Sequence, residues 1–174
     1  GIATAATRAG NDVVLWSRSP ARSGGKTTFR STSDLASLAQ TDLIFVAVPS
    51  RSVREVARSL SAHVDGSHLI VHVSRGLIGD ELHTLTRVLR EETPVVRLGA
   101  LAGPLIAEAL LAGTPSGAIV GSLFPEVGVA VRTAIAGETL RIYTTDDVLG
   151  VEVASALVGM LAFGDEPKAG AAIV

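Results

Sequence analysis

A doubly wound parallel sheet flanked by helices, an α/β fold, is what this sequence predicts, and two observations predict it. Short apolar runs rich in valine and isoleucine recur at residues 12–16, 43–48, 69–73, 95–98, 118–121 and 141–143. They are mostly continuous rather than alternating, as expected of strands covered on both faces. Amphipathic segments lie between them, and strand alternating with helix is the pattern of a sheet wound on both sides. Apolar residues make up 47% of the 174 and charged residues 18%, enough for one well-packed core.

Taken in order, the first nine residues read as the back of a helix, stopped by Gly10 in a left-handed cap, and 12–16 follow as a strand. Residues 17–33 are polar, with Pro20 and the Gly24-Gly25 pair, and read as a long surface loop. After the strand at 43–48, a helix over 50–63 opens with Ser50 as its expected N-cap and carries Val53, Val56, Ala57 and Leu60 on one face. A second helix is predicted over 80–90 from Leu82, Leu85, Val88 and Leu89. A third, over 126–136, rests on Val127, Ala130, Val131 and Ala134. Asp146 and Asp147 open the last helix, over 148–163, where their charges suit the positive end of its dipole. The division expected is 1–145 for the sheet domain and 146–174 for the beginning of an all-α domain.

The opening departs from the usual dinucleotide-binding order of strand, glycine-rich turn, helix and strand. Everything from the helix onward is present, while a first strand and a G-x-G-x-x-G turn are not in the sequence. Such a strand is central in this Rossmann-type arrangement, and without it ladder groups stay unpaired. The sequence is therefore expected to be a portion of a longer chain; a different α/β fold that begins with a helix is the alternative.

Composition excludes several chemistries. Cysteine is absent, which rules out disulfides and thiol catalysis. A net charge of −2 gives no electrostatic reason to bind nucleic acid. No apolar run approaches the roughly 20 residues of a membrane span, and a cytoplasmic protein is the expectation. No metal site is expected, because His63, His68, His72 and His83 lack ligand spacing with carboxylates; His72 reads as a satisfied buried histidine.

Ligands of open α/β sheets collect outside the carboxyl ends of the strands. Three places in the sequence fall there. Ser17 and Arg18 follow the strand at 12–16, where an acidic residue would repel the extra phosphate of NADP and an arginine accommodates it. A solvated loop arginine fits the same position. Val48, Pro49 and Ser50 follow the second strand, and Ser74, Arg75 and Gly76 the third. Arg75 suits a phosphate or carboxylate, and equally a plain surface position.

Four stretches then stand in one order: Ala47-Val48-Pro49-Ser50, Ser74-Arg75-Gly76-Leu77, Gly103-Pro104-Leu105-Ile106-Ala107, and the run from Arg141 through Tyr143, Asp146, Asp147 and Gly150 to Glu152. With Trp16-Ser17-Arg18, they make the chain resemble the NAD(P)-dependent glycerol-3-phosphate dehydrogenases over essentially all its length. The resemblance implies an N-terminal Rossmann domain and a helical C-terminal domain. It implies NADH- or NADPH-dependent reduction of dihydroxyacetone phosphate to sn-glycerol 3-phosphate for phospholipid synthesis, with NADP tolerated or preferred. A small phosphorylated substrate and a homodimer belong to the same expectation. Cofactor contacts fall on Ser17, Arg18, Val48, Pro49 and Ser50, and substrate contacts on Arg75 and Lys168.

Departures fall on functional positions. Arg75 stands where the family carries a lysine; it keeps the charge but does not exchange a proton near neutrality. Val158 and Gly159 stand where the family's catalytic Lys-Asn pair follows Ala-Leu, and Ala109 where it has Glu. Valine neither donates a proton nor stabilises a developing alkoxide. No catalytic residue is therefore assigned. A non-catalytic relative that binds a dinucleotide or phosphometabolite, and a dehydrogenase of a different substrate, stay open beside the reductase.

Overall fold

The structure is a computed structural model that describes residues 1–19, 29–105 and 107–164. Lys168, with Pro20 and the Gly24-Gly25 pair, lies outside the described residues. Among the described residues the elements follow in order: α1 Ile2–Arg8, β1 Val14–Trp16, β2 Arg30–Thr32, β3 Leu43–Val46, α2 Ser50–Leu60, β4 Leu69–His72, α3 Leu85–Glu92, β5 Leu98–Ala102, α4 Ala107–Ala112, β6 Ser116–Gly121, α5 Pro125–Ile135, β7 Leu140–Thr145 and α6 Val148–Gly164. A 3-10 turn, Leu35–Gln40, precedes β3. No helix of the described residues is long and apolar enough to cross a membrane.

Two sheets form rather than one. Five strands pair in the order β3-β4-β5-β6-β7, and β1 pairs only with β2. The α/β reading holds with one correction: β3, β4 and β5 are parallel, but β6 pairs antiparallel with β5, and β7 continues parallel to β6. The physical reason is connection length. The chain returns from β5 through the short α4 and enters β6 from the end where β5 finished.

Each face of the five-stranded sheet carries its own core. On one side Val53, Ala57 and Leu60 of α2 and Leu85, Val88 and Leu89 of α3 pack on Ile44, Val46 and Ile70. On the other, Ala6 of α1 and Val127, Val131 and Ile135 of α5 pack on Leu69, Val71, Val120 and Ile142. The alternation of β3 is plain: Ile44 and Val46 face the first cluster, while Leu43 and Phe45 pack against the second. β1 makes no hydrogen bond to β3; its Val14 and Trp16 pack against the first cluster, Val13 just before it against the second, and Leu15 is 41% exposed.

Local chemistry explains most boundaries. Gly10, at φ +88°, ends α1 as expected: its N–H donates to Thr7 O at 3.0 Å and that of Asn11 to Ala6 O at 3.1 Å, a Schellman pair. Asp147 Oδ1 accepts from the Gly150 N–H at 2.8 Å, so the expected acidic start of α6 is present.

Other boundaries move. The expected N-cap at Ser50 is corrected, because Pro49 is the cap residue, Ser50 is already helical, and no side-chain cap bond forms. The helix read over 80–90 begins instead at Leu85, with Thr84 Oγ1 accepting from Arg87 N. Ile78 and His83 form an antiparallel bridge that turns through Leu82 at φ +53°, leaving Leu82 64% exposed rather than in the core. The strand read at 95–98 lies at Leu98–Ala102, and the polar loop contains the short strand β2.

Candidate functional site

Because β3, β4 and β5 are parallel, their carboxyl ends open on one rim, and the turns that follow are Val48-Pro49-Ser50, Ser74-Arg75-Gly76 and Gly103-Pro104-Leu105. Hydrogen bonds join the first two, since Ser74 Oγ donates to Val48 O and lies 3.4 Å from Val46 O. Gly76 closes the same contact from the other side. At φ +107° it adopts a conformation that side chains disfavour, and a Cβ there would lie 3.3 Å from Ser50 Oγ. Arg75 is exposed, and its guanidinium donates to Gly103 O at 3.3 Å, joining the second turn to the third.

Gly103, at φ +145°, has no room for a side chain either; a Cβ would meet Gly117 O at 2.8 Å. The rim is thus a continuous ridge of backbone in which bulk is excluded at two points.

The structure brings Val48, Pro49, Ser50 and Arg75 together on that ridge. Ser17 and Arg18 stand apart from it in the turn after β1. Ser17 Oγ accepts from the Ser19 N–H at 3.3 Å, an ordinary turn bond. Arg18 reaches α2, 3.8 Å from Glu55 Oε1, with both side chains about two-thirds exposed. That acidic neighbour offsets the arginine's attraction for a second phosphate. Val158 lies 56% exposed on α6.

Sequence reasoning found His72 but missed its partner. His72, 3% exposed at the end of β4, places Nε2 3.0 Å from Glu152 Oε1, and its Nδ1 lies 3.2 Å from Ser74 O. Glu152 on α6 is 4% exposed and also accepts from the Thr86 N–H at 2.9 Å and from the Thr86 hydroxyl. Burial pushes the Glu152 carboxyl up, but the bonds from His72 and Thr86 outweigh it and bring it below its ordinary value. The network ties α6 and α3 to the strand end that carries Ser74. Only a buried acidic residue in an otherwise apolar helix could have signalled it, and 80 residues separate the pair.

Among the described residues no cluster of three His, Asp or Glu could hold a metal ion. Cavities accompany the fold among the described residues. One, of about 300 Å³, lies between α3 and α6, lined by Arg87, Arg90, Leu123, Leu149 and Glu152, away from the rim. Another, of about 650 Å³, runs between β1 and β3.

The profile described as the N-terminus of NAD-dependent glycerol-3-phosphate dehydrogenase matches residues 24–127. A glycerol-3-phosphate dehydrogenase [NAD(P)+] of Acinetobacter baylyi is 37% identical over 121 residues, 70% of this chain and 34% of that protein. One of Acinetobacter baumannii is 31% identical across 92% of this chain and 50% of that protein. The chain therefore spans half or less of the length of these curated relatives. Among solved structures, the glycerol-3-phosphate dehydrogenase of Coxiella burnetii aligns at TM-score 0.78 with 23% identity, covering 88% of this chain and 52% of that one. A pyrroline carboxylate reductase of Plasmodium falciparum aligns at 0.64 with 16% identity, covering 93% and 59%. At those identities the likeness is one of fold.

Proposed function

The chain belongs to the NAD-dependent glycerol-3-phosphate dehydrogenase family, and on that premise we propose that it is the cofactor-binding part of an enzyme that reduces dihydroxyacetone phosphate to sn-glycerol 3-phosphate. NAD or NADP lies along the carboxyl rim of β3, β4 and β5. One observation carries the reading: Ser74 bonded to Val48, with Gly76 against Ser50, joins two strand ends into one surface. Such a surface admits close approach of an extended dinucleotide.

When bound, the nicotinamide supplies a hydride. The chain's own residues supply binding and orientation. Pro49 and Ser50 hold the first turn extended against the cofactor, and Arg75, steadied by Gly103 O, presents a fixed positive charge to a phosphate. Arginine stays protonated across neutral pH, so Arg75 serves as an anion contact and not as the acid that protonates the carbonyl oxygen. Lys168 is a second substrate-phosphate contact on this reading, Ser17 and Arg18 border the adenosine end, and 146–174 begin the helical domain. A cytoplasmic homodimer completes it.

A second reading, a relative that binds a dinucleotide or phosphometabolite without turnover, is favoured by Val158, an exposed apolar residue where the resemblance places a lysine. The test is equilibrium titration of NADH and NADPH, followed by NADPH oxidation with dihydroxyacetone phosphate. Saturable binding with turnover supports the reductase. Binding without turnover, with rate gained in Val158→Lys combined with Gly159→Asn, supports the second reading. No binding of either nucleotide defeats both.

A further inference from the structure

Two ionisable side chains lie sealed directly behind the rim, and the proposed reduction uses neither. His72, at the end of β4, and Glu152, on α6, are 3% and 4% exposed. Their Nε2 and Oε1 atoms lie 3.0 Å apart. Stability alone is a weak reason for such a pair, because apolar residues of similar volume often replace one without loss. What the pair supplies is direction.

The direction comes through the ring. His72 Nδ1 lies 3.2 Å from the carbonyl oxygen of Ser74. A carbonyl only accepts, so Nδ1 donates. Behind the ring, Glu152 also accepts from the Thr86 N–H at 2.9 Å and from the Thr86 hydroxyl. A carboxylate anchored on α3 and α6 therefore fixes the imidazole, and the imidazole fixes the carbonyl.

Ser74 is held at both its side chain and its main chain, since its hydroxyl donates to Val48 O. The peptide that joins it to Arg75 is trans, and in a planar trans peptide C=O and N–H point in opposite directions. Drawing the Ser74 carbonyl inward thus turns the Arg75 N–H away from the ring. Among the described residues neither that N–H nor the Gly76 N–H makes a hydrogen bond. An unpaired N–H in a turn, beside an exposed arginine, suits the oxygen of an anion.

We propose that His72 and Glu152 are positioning residues, which set the Ser74–Arg75 peptide so that the Arg75 N–H donates to a phosphate oxygen. That phosphate belongs to the nicotinamide cofactor or to the phosphorylated substrate, and in either case the inference rests on the rim reading.

The test uses the 174-residue chain and two variants. His72→Phe keeps a ring but loses both nitrogens, leaving Glu152 buried without its partner. His72→Phe combined with Glu152→Leu removes both polar groups and restores an apolar interior. A role in stability alone requires the double variant to recover everything the single one loses. Positioning requires a split. The unfolding midpoint of the double variant should return to within a few degrees of the parent. Its Ser74, Arg75 and Gly76 order parameters should nevertheless fall from the rigid range near about 0.85 to below about 0.6. NADH or sn-glycerol 3-phosphate should bind at least about tenfold more weakly, the loss of one charge-assisted hydrogen bond. Titrating each ligand separately identifies whose phosphate the N–H meets. Parental affinity of the double variant for both ligands overturns the inference, and so does a turn that stays rigid.

The parent supplies a check that needs no variant to fold. The nitrogen spectrum of His72 must show a proton on Nδ1, and a bare Nδ1 overturns the inference. A parent that binds neither ligand defeats the rim reading instead, and the order parameters and ring nitrogens then decide the role of the pair alone.

Discussion

The two halves of the sheet contrast in how completely neighbours determine them. In β4, paired on both edges and covered by helices on both faces, all four residues are buried. In β3, paired on one edge, only Ile44 and Val46 are, and in β1 none of the three is. Composition does not account for this, since Leu43, Ile44, Phe45 and Val46 are as apolar as Leu69, Ile70, Val71 and His72. Pairing does: burial in a sheet is a property of the neighbours as much as of the residue. Of the rim turns, Ser74-Arg75-Gly76 and Gly103-Pro104-Leu105 follow strands paired on both edges, whereas Val48-Pro49-Ser50 follows β3, paired on one.

The largest expected effect tests how strongly that half is determined. Glu152→Ala leaves buried His72 and the half-buried Thr86 N–H without their acceptor, and should cost about 3–5 kcal/mol in denaturant unfolding. A loss under about 1 kcal/mol would mean that water reaches the network. The acid dependence follows from the same residue. Its carboxyl is lowered from 4.5, so its contribution is complete above that value and is lost as pH falls through the lowered one. Stability of the parent should therefore fall below pH 4.5 more steeply than that of Glu152→Gln.

The same truncation placed in both halves sharpens the contrast. Ile70→Ala, at 0% exposure between two paired strands, should cost about 2–5 kcal/mol, and Ile44→Ala, beside the 650 Å³ slot, about half of that or less. Equal losses would contradict the account of an open edge. Gly103→Ala comes next, at about 1–3 kcal/mol, because the added Cβ meets Gly117 O at 2.8 Å and the backbone stands at φ +145°. The smallest effect belongs to the ion pair between exposed Arg58 of α2 and Glu92 of α3. Arg58→Ala removes bonds of 3.0 and 3.1 Å to Glu92 yet should leave the denaturation midpoint nearly unchanged, because solvent screens the arginine.

Sequence legibility follows the same division. Residues whose environment repeats with the period of their own element were readable, as in Val53, Val56, Ala57 and Leu60 of α2, all buried as expected. Local stop and start chemistry was readable at Gly10 and Asp147. So was the pairing of the Pro49 and Gly76 turns, which follows from parallel strands alone. Features set by distant partners were not. Nothing near Arg30, Ser31 and Thr32 signals a strand, because β1 makes it one. Thr84 displaced the start of α3 through a cap bond, and the bridge between Ile78 and His83 removed Leu82 from the helix face. Glu152 and His72 find each other only after the sheet, α3 and α6 are assembled. Arg18 was readable as a charge at a strand end, but Glu55, 3.8 Å from it, comes from a helix later in the chain.

An amide spectrum of the chain titrated with NADH tests the shared rim most directly. Val48, Ser50, Ser74, Arg75, Gly76 and Gly103 should shift together along one saturation curve, and Gly76→Val, which also strains the backbone at φ +107°, should abolish it. Shifts confined to Arg87, Arg90 and Leu149 in the groove between α3 and α6, or none at the rim, would contradict the account.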